Sequence, residues 1–250
     1  MSKRTTGEKS PIDSQKVKNF FQNRAKSSLD LDPAVAMLYQ DSNPELALSR
    51  DAYEERELLS IVSPTSQDVV FDVGCGVGRW AMKLAGRVGH YIGVDPIDSF
   101  VESAQKNCSA LTGTSFSFYV CEAERVRSCD EIKDIPKSSL VLLTGVLHYL
   151  NDEAVIKTLS SLDSFMADEG RIVIRTPVGI SSRLTLNDIW SEDLNDHYSA
   201  IYRTPEEYVD IFTDIFDPSL FEITHNAPLY PSHLNNRKET QQHLFIITKK

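Results

Sequence analysis

Residues 69–78 read Val-Val-Phe-Asp-Val-Gly-Cys-Gly-Val-Gly: an apolar run halts at Asp72 and turns through Gly74, Gly76 and Gly78, with Cys75 between them. A strand that runs into such a turn and then a helix brings main-chain N–H groups close to a nucleotide, because glycine tolerates backbone angles that other residues avoid. Two ligands fit the spacing. Gly76-x-Gly78-x-x-Ala81, with Asp95 following on the next strand, matches a dinucleotide fingerprint. Asp72 ahead of the glycines makes the pattern Asp-x-Gly-x-Gly-x-Gly instead, and a dinucleotide loop has no use for that acid. Cys75 reads as a small packing residue of the turn.

Further residues downstream are of types that do chemistry. Asp95-Pro96 closes an apolar run, and an ionised carboxylate there is a strong acceptor for sugar hydroxyls. Cys121-Glu122-Ala123-Glu124 ends another run, and Leu140 to Leu150 carries Thr144, Gly145, Val146, His148 and Tyr149. His148 is the first candidate base and His197 the second. Upstream, Tyr39 and Arg50 would close over the pocket. The planar guanidinium of Arg50 suits a carboxylate, although Glu54, Glu55 and Glu57 offer it ordinary helical ion pairs. The polar stretch 178–203 holds Trp190, Tyr198, Tyr202 and Arg203, which suit an aromatic or polyhydroxylated acceptor, and Asp188, Glu192, Asp193 and Asp196, which would draw an amine.

These residues need a frame. Strand-like and helix-like segments alternate after Gln67, the mark of a parallel sheet covered by helices. Strands are predicted at 69–73, 91–95, 116–121, 140–144 and 171–175, with helices near 77–85, 99–110, 132–135 and 152–166. Asn151 is the expected cap of the last helix. Thr204, Pro205 and Glu207 form a capping box for a helix ending near 214. Two further strands, 220–224 and 244–248, suggest one antiparallel strand added at the C-terminal end. Residues 1–12 are expected to be a disordered tail, 13–66 a helical cap, and 67–250 the main domain with 178–203 as an insertion on the acceptor side.

Composition narrows the classes. The longest apolar run, Leu140 to Leu147, is far too short to span a bilayer, and the polar N-terminus has no signal-peptide core, so a cytoplasmic protein is expected. A net charge of -10 opposes a nucleic-acid partner, whose affinity rests on neutralised phosphates. The four cysteines have neither disulfide-framework nor metal-ligand spacing, so no metal is expected.

From about Asp68 to Arg175 the chain resembles the class I S-adenosylmethionine-dependent methyltransferases. The resemblance rests on Asp72-x-Gly74-x-Gly76-x-Gly78, Asp95, Glu122-Ala123 and the fourth-strand ending Thr144 to Tyr149. It implies an α/β, Rossmann-like fold with a mostly parallel seven-stranded sheet, an antiparallel C-terminal strand and an N-terminal helical preface. It also implies S-adenosyl-L-methionine as cofactor. Asp95 would accept from both ribose hydroxyls, Glu122 from the adenine amino group, and Ala123 would donate a backbone N–H to the ring. Thr144, Gly145 and Val146 would line the sulfonium end. The overall form is most similar to small-molecule and carbohydrate-tailoring members, so O-methylation of a sugar or natural-product precursor is expected. N-methylation of an amine and a catalytically silent cofactor-binding subunit are the alternatives.

Overall fold

The computed structural model describes residues 3–28, 32–38, 43–192 and 194–250. Strand β1 (Lys3–Thr6) and helices α1 (Ser14–Ser28), α2 (Pro33–Leu38) and α3 (Pro44–Val62) precede the alternating region. That region runs β2 (Val69–Val73), α4 (Arg79–Leu84), β3 (His90–Asp95), α5 (Asp98–Cys108), β4 (Ser115–Val120), β5 (Ser138–Thr144), α6 (Asp152–Leu162) and β6 (Met166–Gly179). A hairpin, β7 (Leu184–Ser191) and β8 (Asp196–Tyr202), then leads to α7 (Pro205–Ile215), β9 (Phe221–Pro228) and β10 (Thr240–Lys249).

Seven strands form the main sheet in the order β4-β3-β2-β5-β6-β10-β9, and β10 runs antiparallel to both of its neighbours. The period-two side-chain alternation of strands explains how one sheet serves two cores. On β5, Leu140 and Leu142 pack with Leu58, Trp80 and Val101, while Val141 and Leu143 pack with Val155, Leu159 and Phe212. Both faces are therefore covered, as near-continuous apolar strands require. All parallel strands point their C-terminal ends to one edge, where ligands of open α/β sheets bind. The expected capping box is present: Glu207 N–H donates to Thr204 Oγ1 at 3.3 Å, and Thr204 N–H to Glu207 Oε2 at 2.9 Å.

Four local expectations change. Residues 3–6 are a strand, because β1 pairs antiparallel with β7 and makes the hairpin a three-stranded sheet, β1-β7-β8. The stretch 178–203, read as a polar insertion, is largely this hairpin. Between β4 and β5 the chain makes two 3-10 turns, Ala123–Ser128 and Asp130–Ile132, where a short helix is expected. Asn151 stands at the N-cap of α6 as expected, but its side chain makes no capping bond; its amide instead bonds both the N–H and the C=O of Ile12, each at 2.9 Å, fixing the N-terminal segment to the site edge.

Candidate active site

A cavity of about 760 Å³ opens at the C-terminal edge of the sheet, between the β2, β3 and β5 loops on one side and α1, α2, the hairpin and the β9–β10 connection on the other. Its first wall is the turn after β2. Gly76 has φ +54, and a Cβ there would collide with Met37 Sδ of α2, so glycine is required both by the backbone and by the close cover above it. Gly74, Cys75 and Gly76 face the cavity. Gly78 lies just outside it, against Ala104, where it opens α4. Cys75 is buried and its thiol is pushed up by burial, which keeps it unreactive and fits a packing role.

Asp95 holds the centre of this wall. Its two oxygens accept from the Gly76 and Ile97 amides, each at 3.0 Å, which fixes the carboxyl plane. A carboxylate has room for about four hydrogen bonds, so two acceptor positions remain toward the cavity. Burial pushes its pKa up to about 6, against the pull of the two amides. Asp72 differs. It lies beneath the turn, buried and outside the cavity, where it accepts from Tyr91 Oη, and burial raises it to about 7. It supports the loop from below and does not line the cavity.

Pro96, Glu122 and Ala123 continue the wall beyond Asp95. Ala123 opens its 3-10 turn, where the first amides lack partners within the turn. Glu122 is paired at 3.1 Å with Lys18 of α1. Thr144, Gly145 and Val146 line the far end.

Beyond Gly145 the acceptor side begins. His148 is 4% exposed, and its Nδ1 is buried with no partner among the described residues. Burial and the nearby Arg175 and Arg203 hold its pKa well below the usual imidazole range, so the ring is neutral. Its centroid lies 3.8 Å from that of Tyr149 and 6.2 Å from Tyr202, and Tyr202, Tyr198 and Tyr149 join hydroxyls at 3.2 Å each. Helix α1 packs over these rings, Phe20 edge-on to Tyr198 and Phe21 edge-on to Tyr149. Trp190 and Glu192 complete the hairpin's share.

Several candidates stand elsewhere. His197 is exposed and turned onto Asp188 and Trp190, away from the cavity lining, so it cannot reach a reacting atom there. Arg203 is fully buried and does not line the cavity. It donates to the Leu147 and Leu150 carbonyls and to Asp152 at 2.6–3.0 Å, and so clamps the turn that carries His148. Asp188 pairs with Lys16. Tyr39 and Asp193 lie outside the described residues. Arg50 does line the cavity, but makes none of the expected ion pairs along its helix. Its guanidinium donates to the Leu234 carbonyl and Asn236 Oδ1 of the β9–β10 connection.

The floor of the cavity holds a cluster that the spacing of motifs does not reveal. Glu54 is fully buried; its Oε1 accepts from Arg79 at 2.8 Å and from Arg175 at 3.1 Å, and its Oε2 from Tyr230 at 2.9 Å. These partners hold its carboxyl at about 2 in spite of burial. Two signals existed in the sequence. Glu54 falls on the buried stripe Ala47, Arg50, Leu58, Val62 of α3, and Arg175 ends the otherwise apolar run Ile172-Val173-Ile174. A charge on an apolar stripe requires a buried partner.

The strand order, the glycine turn and the acid ending β3 define the class I S-adenosylmethionine-dependent methyltransferase architecture, and this settles the earlier ambiguity against a dinucleotide. The chain belongs to the methyltransferase domain family, whose model matches residues 64–219. It is 28% identical over 159 residues to phosphoethanolamine N-methyltransferase 1 of Triticum aestivum, covering 63% of this chain and 29% of that one. Its fold is similar to that of Haemonchus contortus phosphoethanolamine N-methyltransferase 1, solved with phosphoethanolamine and S-adenosylhomocysteine (TM-score 0.69, 17% identity, 95% of this chain and 50% of that). It is also similar to the Burkholderia thailandensis 1,6-didemethyltoxoflavin-N1-methyltransferase (TM-score 0.64, 12% identity, 100% of this chain and 95% of that). This chain thus spans about a third of the wheat enzyme and half of the nematode one. S-adenosylmethionine is its cofactor, and the turn, Asp95 and Ala123 line the cavity that would take it.

Proposed function

We propose that this protein methylates the nitrogen of a small amine acceptor. The observation that carries the reading is the neutral His148, held between the Tyr149 and Tyr202 rings on the cavity wall beyond Gly145. A neutral imidazole accepts a hydrogen bond from an N–H group and so turns the nitrogen lone pair away from itself, toward the donor side. Aromatic faces favour a cation within about 6 Å, which suits an amine whose positive charge grows with methylation. The two wheat and nematode relatives carry N-methyltransferase names, which supports nitrogen over the sugar oxygen expected from sequence. The net charge of -10 favours a small molecule over nucleic acid.

When bound, S-adenosylmethionine supplies a methyl group on a positively charged sulfur. The chain supplies alignment: Asp95 and the glycine turn fix one reactant, His148 and the tyrosines the other, and α1 limits water. Such positioning alone lowers barriers substantially, by about 7 kcal/mol or more in favourable cases. The test is incubation with methyl-labelled donor and a panel of ethanolamine, phosphoethanolamine and simple sugars, followed by mass spectrometry of the product. Label on nitrogen is expected. Label on a sugar oxygen, or cofactor binding with no product from any acceptor, overturns the reading. His148→Asn is expected to lower kcat about 100-fold with S-adenosylhomocysteine affinity unchanged; full turnover removes His148 from this role.

A further inference from the structure

Arg175 is 5% exposed and lines the cavity, yet only one edge of its guanidinium is used. Its Nε donates to Glu54, and among the described residues nothing accepts from Nη1 or Nη2. Nη1 rests against Gly145, 3.2 Å from where a Cβ would stand there, so the absence of a side chain lets the charge reach the junction between donor and acceptor sides. Glu54 is itself pinned by Arg79 and Tyr230, which fixes the direction of the open edge. Arg50 lines the same cavity, where burial first, and then Arg237 and Arg175, disfavour its charge.

We infer that Arg175 is the receptor for an anionic group carried by the amine acceptor, a phosphate monoester or a carboxylate, and that Glu54 sets its orientation. The inference rests on the amine-methylation reading and deepens it. Position selects the acceptor over the cofactor's own carboxylate. Arg175 lies on β6, on the far side of β5 from the turn after β2 and from Asp95, and pairs in register with Thr144. A planar fork with two free N–H edges suits the oxygens of phosphate or carboxylate, and a charge already desolvated binds them strongly.

The test is titration calorimetry on the whole chain saturated with S-adenosylhomocysteine, using phosphoethanolamine, glycine and ethanolamine as probes. The wild-type protein is expected to prefer phosphoethanolamine or glycine to ethanolamine, and whichever binds tighter identifies the anion. Arg175→Gln is expected to weaken the anionic probes at least 30-fold, to leave ethanolamine within twofold, and to leave S-adenosylhomocysteine affinity unchanged. Arg175→Lys restores part of the loss, because lysine keeps the charge and lacks the fork. Should Arg175→Gln fold poorly, the pair Glu54→Gln with Arg175→Gln removes both charges together and is expected to show the same loss of preference. An unchanged preference overturns the inference, as does a fall confined to S-adenosylhomocysteine affinity or a wild-type protein that binds none of the probes. The readout needs no turnover. Anion binding through Arg175 without N-methylation therefore counts against the function alone, and N-methylation with unaltered preference counts against the inference alone.

Discussion

The two walls of the cavity are built in opposite ways. The donor wall comes from consecutive strand ends between Val69 and Val146, each loop seated on its own strand and needing little from elsewhere. The acceptor wall is assembled from α1, β1, the β7–β8 hairpin, β6 and the β9–β10 connection. It is tied by long-range contacts such as Arg4 with Glu239 at 2.5 Å, Lys16 with Asp188, and Asn151 with Ile12. Segments held to the sheet only through such contacts open at lower cost than core strands. Cofactor binding should therefore withstand changes that abolish acceptor binding.

Glu54 is where this division fails, since its one carboxyl serves Arg79 near the turn and Arg175 on the acceptor side. Glu54→Ala leaves two buried guanidinium groups without their counter-charge, and removing one partner of a buried pair costs about 3–5 kcal/mol. A large drop in Tm is expected, with affinity for both reactants impaired. Loss of acceptor binding alone, at unchanged Tm, would show the walls to be more separate than the cluster implies.

Asp95→Ala tests the donor wall by itself. Losing two charge-assisted hydrogen bonds, about 1.5–3 kcal/mol each before water compensates, should weaken S-adenosylhomocysteine about 100-fold or more and leave Arg175-dependent anion binding intact. The wild-type affinity should also depend on pH. Asp95 accepts from ribose hydroxyls best when ionised, and its pKa in the free protein is about 6. Affinity is expected to rise as pH increases through 6 and then level off, and a flat profile in calorimetry from pH 5 to 8 would break the ribose assignment.

The legibility of the two walls follows from the same difference. Gly74 to Gly78, Asp95, Glu122 and Thr144 stand at strand ends set by local periodicity, so their spacing is visible in the chain and each faces or borders the cavity as expected. Asp72 fits the motif and yet does not touch the ligand space, because the strand's pleat turns it beneath the turn, toward Tyr91. On the acceptor side, composition picks out Tyr198, Tyr202 and Trp190, which line the cavity because a hairpin presents alternate residues to one face. It misplaces His197 and Arg203, whose directions depend on register with β7 and on Asp152. Residues 3–6 look like a tail because a four-residue strand gains its order only from β7.

Asp72 gives a smaller effect, read in stability. Its pKa is raised above the unfolded value of a carboxyl, to about 7. The folded state therefore binds this proton more tightly than the unfolded chain. The contribution is fully present below about pH 4 and is lost as pH rises through 7. Asp72→Asn, which keeps an acceptor for Tyr91 and cannot ionise, is expected to flatten this part of the Tm profile between pH 4 and 8. An unchanged profile would assign the dependence to other groups.

The smallest effect belongs to β1, and it separates the walls most cleanly. Removing residues 1–6 deletes the strand that pairs with Leu184–Asn187 and the Arg4–Glu239 ion pair, both remote from the glycine turn. The ion pair is exposed and contributes little, so the change acts mainly by loosening β7. Acceptor KM is expected to rise a few-fold through the displaced Tyr198, Tyr202 and Trp190, with S-adenosylhomocysteine affinity held within twofold. Equal losses on both sides would mean that β1 steadies the whole cavity, and the acceptor wall would then be as firmly built as the donor wall.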